Sequence, residues 1–363
     1  MSDQLQRIGS LDRLRKAFPD TLENLSPFEA CALLDYPLHG NPGDHMLFIS
    51  ALIWLSRQCE PACIHISHRL NFAPAKLKKK IGRGPVFCAG GGNLGDLWPK
   101  PQRFREKVVR CLQNQPIVLL PQCMYFREKQ NLARARQVFN AHPDLTMMLR
   151  DRVSLELARE HFDGRTVLAP DQAVLLADTI PPRPAIKNGK IYCLTRGSRD
   201  REAAPQLKAI LQATSGIPRG NWECMGWKGL LSGVEVLLKP HKAPSLTVRT
   251  PPSALPDELT RILKRVECPG YILRSWHMIE RCIAQLEPYE YVFTDRFHGH
   301  ILCVILRIPH TVIGNNHHKL EAHWETWSKD LPGIAFADSI ENVTDTLQRL
   351  SGEAVDRSSL TRQ

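Results

Sequence analysis

The sequence predicts an α/β protein: two doubly wound, parallel-sheet (Rossmann-like) domains facing each other across a cleft. Three observations carry that prediction. Short apolar runs of strand length alternate with longer amphipathic stretches. A proline-rich break, Thr179-Ile180-Pro181-Pro182-Arg183-Pro184-Ala185-Ile186-Lys187-Asn188-Gly189, divides the alternation into two series. Segments rich in glycine and charge follow the apolar runs, where parallel sheets bind their ligands. The expected domains are residues 1–182 and 183–350, with a loose polar tail at 351–363.

In chain order, Cys31 to Leu34 is the first short apolar run. Met46 to Arg57 is helical and apolar nearly all round, so it is expected to be buried. Strands are expected at Ala62–Ser67, Pro85–Ala89, Ile117–Leu120, Leu145–Leu149 and Thr166–Leu168, with helices at Phe104–Asn114 and Ser154–His161. After the break come strands at Ile191–Leu194, Val234–Leu238, Tyr291–Phe293 and Thr311–Ile313. Helices are expected at Arg274–Leu286, His300–Arg307 and Ser339–Leu350.

Composition narrows the function. The 363 residues suit two domains of ordinary size, and 43% hydrophobic content supplies real cores. A net charge of +11, spread evenly along the chain, points to an anionic partner or to simple solubility. The eleven cysteines have no repeated spacing and read as reduced thiols of a cytoplasmic protein. The amino terminus lacks a signal-peptide core, and Met46–Leu55 is too short to cross a bilayer. Lys76, Lys78, Lys79 and Lys80 form a basic run with few aromatics for base stacking, so a solvated face or an acidic lipid surface is expected rather than nucleic acid.

Four segments lie where ligands are expected. Asn41-Pro42-Gly43-Asp44 precedes the first buried helix; Asp44 is placed to cap it, and free N–H groups there suit an anion or a hydroxyl-rich ligand. Gly90-Gly91-Gly92-Asn93-Leu94-Gly95-Asp96 follows a strand. Consecutive glycines are costly unless something must approach the backbone, and a ligand loop is expected here. Neither a P-loop Gly-Lys-Ser/Thr nor a convincing dinucleotide fingerprint follows. Thr294-Asp295-Arg296-Phe297-His298-Gly299-His300 is the most specific: Arg296 offers a planar fork for carboxylate or phosphate, His298 titrates near neutrality, and Asp295 is read as a helix cap. Leu194-Thr195-Arg196-Gly197-Ser198-Arg199 places further arginines at a strand end. The group Cys59, Cys63, His65 and His68 matches no zinc spacing, so no metal is expected.

Taken together and in order, these segments resemble the polysaccharide pyruvyl transferase family. The resemblance runs from about residue 30 to residue 320. It also takes in Leu34-Asp35-Tyr36-Pro37, Pro121-Gln122, Arg150-Asp151-Arg152-Val153-Ser154, Ala169-Pro170-Asp171, and Ile308-Pro309-His310 leading to Asn315-Asn316-His317-His318-Lys319. It implies a fold like that of two-domain (GT-B-like) glycosyltransferases. It also implies transfer of the enolpyruvyl unit of phosphoenolpyruvate onto two sugar hydroxyls as a cyclic ketal, without metal or redox cofactor. Phosphoenolpyruvate is then the donor; the sugar acceptor is nucleotide-, lipid- or polymer-linked; the setting is the cytoplasm, with peripheral contact at the inner face of the membrane. The implied catalytic residues are His298, Arg296 and Arg196, with Phe297 in place of a usual Leu. The implied substrate-binding residues are Asn41, Gly43, Asp44, Gly91, Gly92, Asn93, Asp96, Gln122, Asp171, Arg199 and Lys319. The competing readings are a nucleotide-sugar glycosyltransferase and a non-catalytic glycan-binding relative.

Overall fold

A computed structural model describes residues 11–18, 28–58, 62–195, 216–222, 255–314, 319–337 and 339–351. The chain forms two all-parallel sheets. The first has seven strands: β1 (Ala30–Leu34), β2 (Cys63–Ile66), β3 (Val86–Cys88), β4 (Gly91–Gly95), β5 (Ile117–Tyr125), β6 (Leu145–Leu149) and β7 (Arg165–Leu168). Their order is β2-β1-β3-β5-β6-β7, with β4 alongside β5. The second has five strands: β8 (Ile191–Leu194), β9 (Arg219–Gly220), β10 (Tyr291–Thr294), β11 (His310–Ile313) and β12 (Ile334–Ala337), in the order β12-β11-β10-β8-β9. The expected strand at Val234–Leu238 lies outside the described residues.

The glycine segment departs from expectation. Gly91–Gly95 forms a strand where a loop is expected, paired with the far half of β5 through Gly91↔Gln122 and Gly95↔Tyr125. Gly95 makes this possible: it sits at φ +118°, and a Cβ there would fall 1.7 Å from the Tyr125 carbonyl oxygen. β5 likewise runs past Pro121, which has no N–H to donate; its pairing with β6 shifts register between Leu119 and Gln122 to accommodate it.

Helix α1 (Pro42–Gln58) begins earlier than its apolar stretch suggests, and Met46 to Leu55 is almost wholly buried. Asp44 does not cap it from outside; it stands in the first turn, accepting from the Asn41 amide at 2.8 Å. α2 (Pro74–Ile81) buries Leu77 and Ile81 and turns its lysines outward. α3 (Pro99–Cys111) and α5 (Arg152–His161) fall where helices are expected, whereas α4 (Lys129–Asn140) is a helix the sequence pattern leaves unassigned. No side chain caps α4; Asp96, just after β4, holds the turn that leads into it by accepting from the N–H groups of Arg127 and Glu128 at 2.8–3.1 Å and from the Asn131 amide at 3.2 Å.

After a 3₁₀ turn (Gln172–Asp178) and the extended connection, the chain adds α6 (Asp257–Leu263), α7 (Pro269–Leu286), α8 (Phe297–Leu306), α9 (Lys319–His323) and α10 (Ile340–Ser351). Helix α7 packs along α1, so one apolar cluster runs through both halves, from Leu33, Phe48 and Trp54 to Ile272, Ile279 and Leu302. Arg274 of α7 is the polar pin of that contact. Fully buried, it donates to Tyr36 Oη and to the carbonyls of Pro37, Leu38 and His39 at 3.0–3.3 Å. Beside it His45 Nδ1 meets Ser275 Oγ at 2.7 Å. The loop after β1 is thereby fixed by the other half of the chain. Among the described residues no helix is long and apolar enough to cross a membrane.

Candidate functional site

The site forms where the first turns of α1 and α8 meet. α1 follows β1 and α8 follows β10, and the amino termini of the two helices converge. His298 of α8 lies directly on Gly43 of α1: a Cβ at Gly43 would fall 2.1 Å from His298 Nδ1. Glycine is therefore required there, because a histidine ring from a partner helix occupies the space. Gly299 permits the matching approach on the other side, since a Cβ there would meet Thr294 Oγ1 at 2.6 Å.

Below His298 stands a buried ion pair. Asp171 Oδ2 accepts from Arg150 Nη1 at 2.6 Å, and His298 Nε2 is 3.7 Å from the same oxygen, without a hydrogen bond of its own. Asp171 Oδ1 accepts from the Ala173 N–H at 2.9 Å. Burial pushes the Asp171 carboxyl up, but His298 and Arg150 outweigh it and hold the group below its ordinary value. Arg150 also donates from Nε to Cys123 Sγ at 2.9 Å, and its guanidinium lies 3.8 Å above the Phe297 ring. Trp327 Nε1 grips the Arg150 carbonyl at 3.0 Å. Removing either partner of such a pair costs about 3–5 kcal/mol, because the other charge stays buried.

Burial lowers His298 from the usual histidine range; Asp171 opposes this, and Arg150 adds to it. Burial thus favours the neutral imidazole, and a bound polyanion would favour the charged one. A second histidine, His323, is fully buried, edge-on to Phe297 at 4.8 Å, and pushed down to about 3 by burial. His300, two residues from His298, is structural: Nδ1 meets His310 Nε2 at 2.8 Å and Nε2 meets Ser328 Oγ at 2.9 Å.

The first sheet closes the site from the other side. Gly91 Cα lies near Asp44, since a Cβ there would be 3.7 Å from Asp44 Oδ1. A Cβ on Gly92 would meet Arg150 Nη2 at 3.0 Å, and Lys319 Nζ donates to the Gly92 carbonyl. Asn41, Gly43, Asp44, Gly91, Gly92, Asp171, His298 and Lys319 are therefore brought together.

Four expected residues have structural work. Asn93 Oδ1 accepts from buried Arg105 at 2.7 Å. Gln122 Nε2 donates to Ala89 O at 2.7 Å. Asp96 is occupied by the turn before α4: burial pushes its carboxyl up, but the N–H groups of Arg127 and Glu128 and the Asn131 amide outweigh it and hold the group low. Asp295 Oδ2 accepts from Thr195 Oγ1 at 2.9 Å, tying the ends of β8 and β10; the N-cap position of α8 falls on Arg296, whose side chain makes no cap hydrogen bond.

Arg296 is buried at that helix start, its backbone N–H on Thr294 Oγ1 at 3.1 Å and its charge felt by His298. Arg196, Arg199 and the stretch 315–318 lie outside the described residues. His65 of the cysteine–histidine group faces Glu267 Oε2 at 2.9 Å, and among the described residues no cluster is arranged to hold a metal. Sequence reading misses the Arg150 role, the Phe297 platform and Arg274. Arg150 stood within a matched motif, but its partner Asp171 lies on another strand end.

Residues 41–232 and 269–317 match the model of the polysaccharide pyruvyl transferase family. The chain is 30% identical over 319 residues to Bacillus subtilis EpsO, a protein named as a pyruvyl transferase, covering 85% of this chain and 89% of that one. It is 26% identical over 333 residues to Schizosaccharomyces pombe pyruvyl transferase 1, covering 88% and 73%. A solved structure of a functionally uncharacterised Klebsiella pneumoniae protein matches with a TM-score of 0.50 at 14% identity, covering 86% and 94%. That likeness is one of fold, and it agrees with the GT-B-like pair of parallel α/β sheets. By sequence match over most of its length, the chain belongs to the polysaccharide pyruvyl transferase family.

Proposed function

We propose that this pyruvyl transferase moves the enolpyruvyl unit of phosphoenolpyruvate onto two hydroxyls of a sugar, forming a cyclic pyruvate ketal in cell-surface or exopolysaccharide synthesis. The observation that carries the reading is the seating of His298 against Gly43, above the Arg150–Asp171 pair and between two helix amino termini. A trianionic donor suits that positive potential. Residues 183–350 supply the donor side with Arg296, and Arg196 or Arg199 completes the clamp on carboxylate and phosphate. Residues 1–182 supply the acceptor side.

Donor binding raises His298, and the imidazolium protonates the methylene carbon, leaving C2 electrophilic. One sugar hydroxyl adds to C2. The C2–O bond to phosphate then breaks, and the second hydroxyl closes the ring. Two hydroxyl protons are released: one restores His298 and the other leaves with phosphate. Arginine charge stabilises the oxyanions as they move. Asp171 is a positioning residue that favours the charged imidazole. The chemistry calls for no metal or redox cofactor. The basic face of α2 suits work at the inner, anionic face of a membrane.

Phosphate release from phosphoenolpyruvate, measured with a panel of glycoside acceptors, tests the reading. Release that depends on a particular acceptor supports it. No release with any acceptor, or release that is the same without one, would overturn it.

A further inference from the structure

A concavity opens beyond the ends of β1 and β3, next to the reacting centre. Its polar lining includes Asp35, His39, Asp44 and Arg69, and Tyr36 and Pro101 give it apolar surface. It touches the site already described: Asp44 lies in its wall, and Gly43, the next residue, carries His298.

Asp35 sets this cavity apart. Its backbone sits at φ +68°, a left-handed conformation that a non-glycine residue adopts at a cost of about 1 kcal/mol or more. Among the described residues only Arg307, which ends α8, shares that sign without being glycine. Its side chain is only 9% exposed and lines the cavity. Arg69 Nε stands 3.3 Å and Arg105 Nη2 3.5 Å from its oxygens. These are ion-pair contacts; among the described residues no group donates a hydrogen bond to the carboxylate. Arg105 is served elsewhere, donating to Asn93 O, Asn93 Oδ1 and Ala89 O. A nearly buried carboxylate with open lone pairs is what a pair of hydroxyl donors would satisfy. The wall is pre-organised, because Arg274 pins the carbonyls of Pro37, Leu38 and His39 and Tyr36 stacks on Tyr271 at 4.1 Å.

We propose that this cavity is the subsite for a neutral sugar, with Asp35, oriented by Arg69, accepting a hydroxyl pair on the side of the ring away from His298. Asp44 then faces the hydroxyls that react, and a uronic acid is disfavoured by the two carboxylates. The proposal rests on the sugar acceptor of the reading above and identifies the residues that select it. Asp35 is a specificity residue, held apart from the proton-transfer machinery.

The test needs no donor substrate, so it stands apart from the transferase reading. Saturation-transfer NMR is run on the full chain with the methyl glycosides of galactose, glucose and mannose, and with methyl galacturonide and glucuronide. At least one neutral glycoside is expected to receive saturation from the wild type, and its uronide about tenfold less, the scale of one unsatisfied charged group. Asp35→Asn keeps the left-handed preference and the side-chain shape, and should lose the signal at least fivefold while circular dichroism stays native. A mere counter-ion for Arg105 would lower the thermal midpoint and leave sugar binding unchanged. If Asp35→Asn does not fold, Arg69→Met, at a half-exposed position, decides and should show the same loss. No saturation of any neutral glycoside, full signal in folded Asp35→Asn, full signal in Arg69→Met where Asp35→Asn does not fold, or a uronide matching its neutral partner would each overturn the proposal. Phosphate release on the same samples reports separately on the transferase reading.

Discussion

The glycine segment of the first sheet and the histidine segment of the second invite comparison. Each follows a short apolar strand, and each is expected from sequence to meet a ligand. They end differently. Most of Gly90–Asp96 is consumed by architecture: Gly95 lets β4 lie against β5, Asn93 holds Arg105, and Asp96 holds the turn before α4. Only Gly91 and Gly92 face the site. Thr294–His300 spends Thr294, Asp295 and His300 on structure, yet delivers His298, Phe297 and Arg296 to the site. A glycine run reports that something comes close, and that something is as often backbone as ligand. A buried histidine lacking a hydrogen bond on one nitrogen has fewer structural excuses.

The sharpest way to break the comparison is His298→Ala. Loss of a general acid should lower transfer by about 10²–10⁴-fold with the fold intact, read by phosphate release and circular dichroism. Near-native turnover would put the proton elsewhere. Gly43→Ala comes next. Its methyl must displace the His298 ring, and a misplacement of about 1 Å is worth roughly 10²-fold in kcat. The melting temperature should fall less than the rate does.

Asp171→Asn should act on the pH profile. Asp171 favours the charged imidazole, so its neutralisation moves the His298 limb of kcat/KM to lower pH. Stability should also drop by about 3 kcal/mol as Arg150 loses its counter-charge, measured by urea unfolding. An unmoved limb would mean that Asp171 serves Arg150 alone. The smallest catalytic effect belongs to the glycine segment: Asp96→Ala should cost about 1 kcal/mol, the value of a lost hydrogen bond at the turn before α4, and leave transfer within about twofold of wild type.

The buried histidines add a stability signature. His45, His300 and His323 are all held below their ordinary value by burial, and so are neutral when folded. The unfolded chain binds protons to them below about pH 6.5, so each lends stability above that pH. That stability is lost as pH falls toward the folded value, which for His323 is about 3. Each contributes a slope of up to about 1.4 kcal/mol per pH unit in that window. Replacing His323 with a residue that does not titrate should flatten the acid side of the curve.

Much of this was legible in the sequence, and the remainder has identifiable causes. Apolar runs mark β1, β2, β3, β5, β6, β7, β8, β10 and β11, because buried parallel strands have few polar positions, whereas Arg219–Gly220 has no such run. Gly43 and His298 could be singled out separately, but their contact spans 255 positions and belongs to the packing of α1 against α8. Helix α4 is hidden because no side chain at its own start marks it, and the carboxylate that holds the turn before it, Asp96, comes from the end of β4. β4 was hidden because glycine has poor strand propensity, and only the partner strand explains it. The Arg150–Asp171 pair joins the ends of β6 and β7, so neither residue alone announces it.

Solvent deuterium reports the proton transfer to the methylene carbon. Phosphoenolpyruvate and an accepted glycoside are incubated with the enzyme in deuterated water, and the product is examined by mass spectrometry and NMR. The account predicts a cyclic ketal whose methyl group carries solvent deuterium, formed with one phosphate released per ketal and absent with His298→Ala. A product that keeps its enol methylene, or a deuterated ketal formed at wild-type rate by the alanine variant, would contradict it.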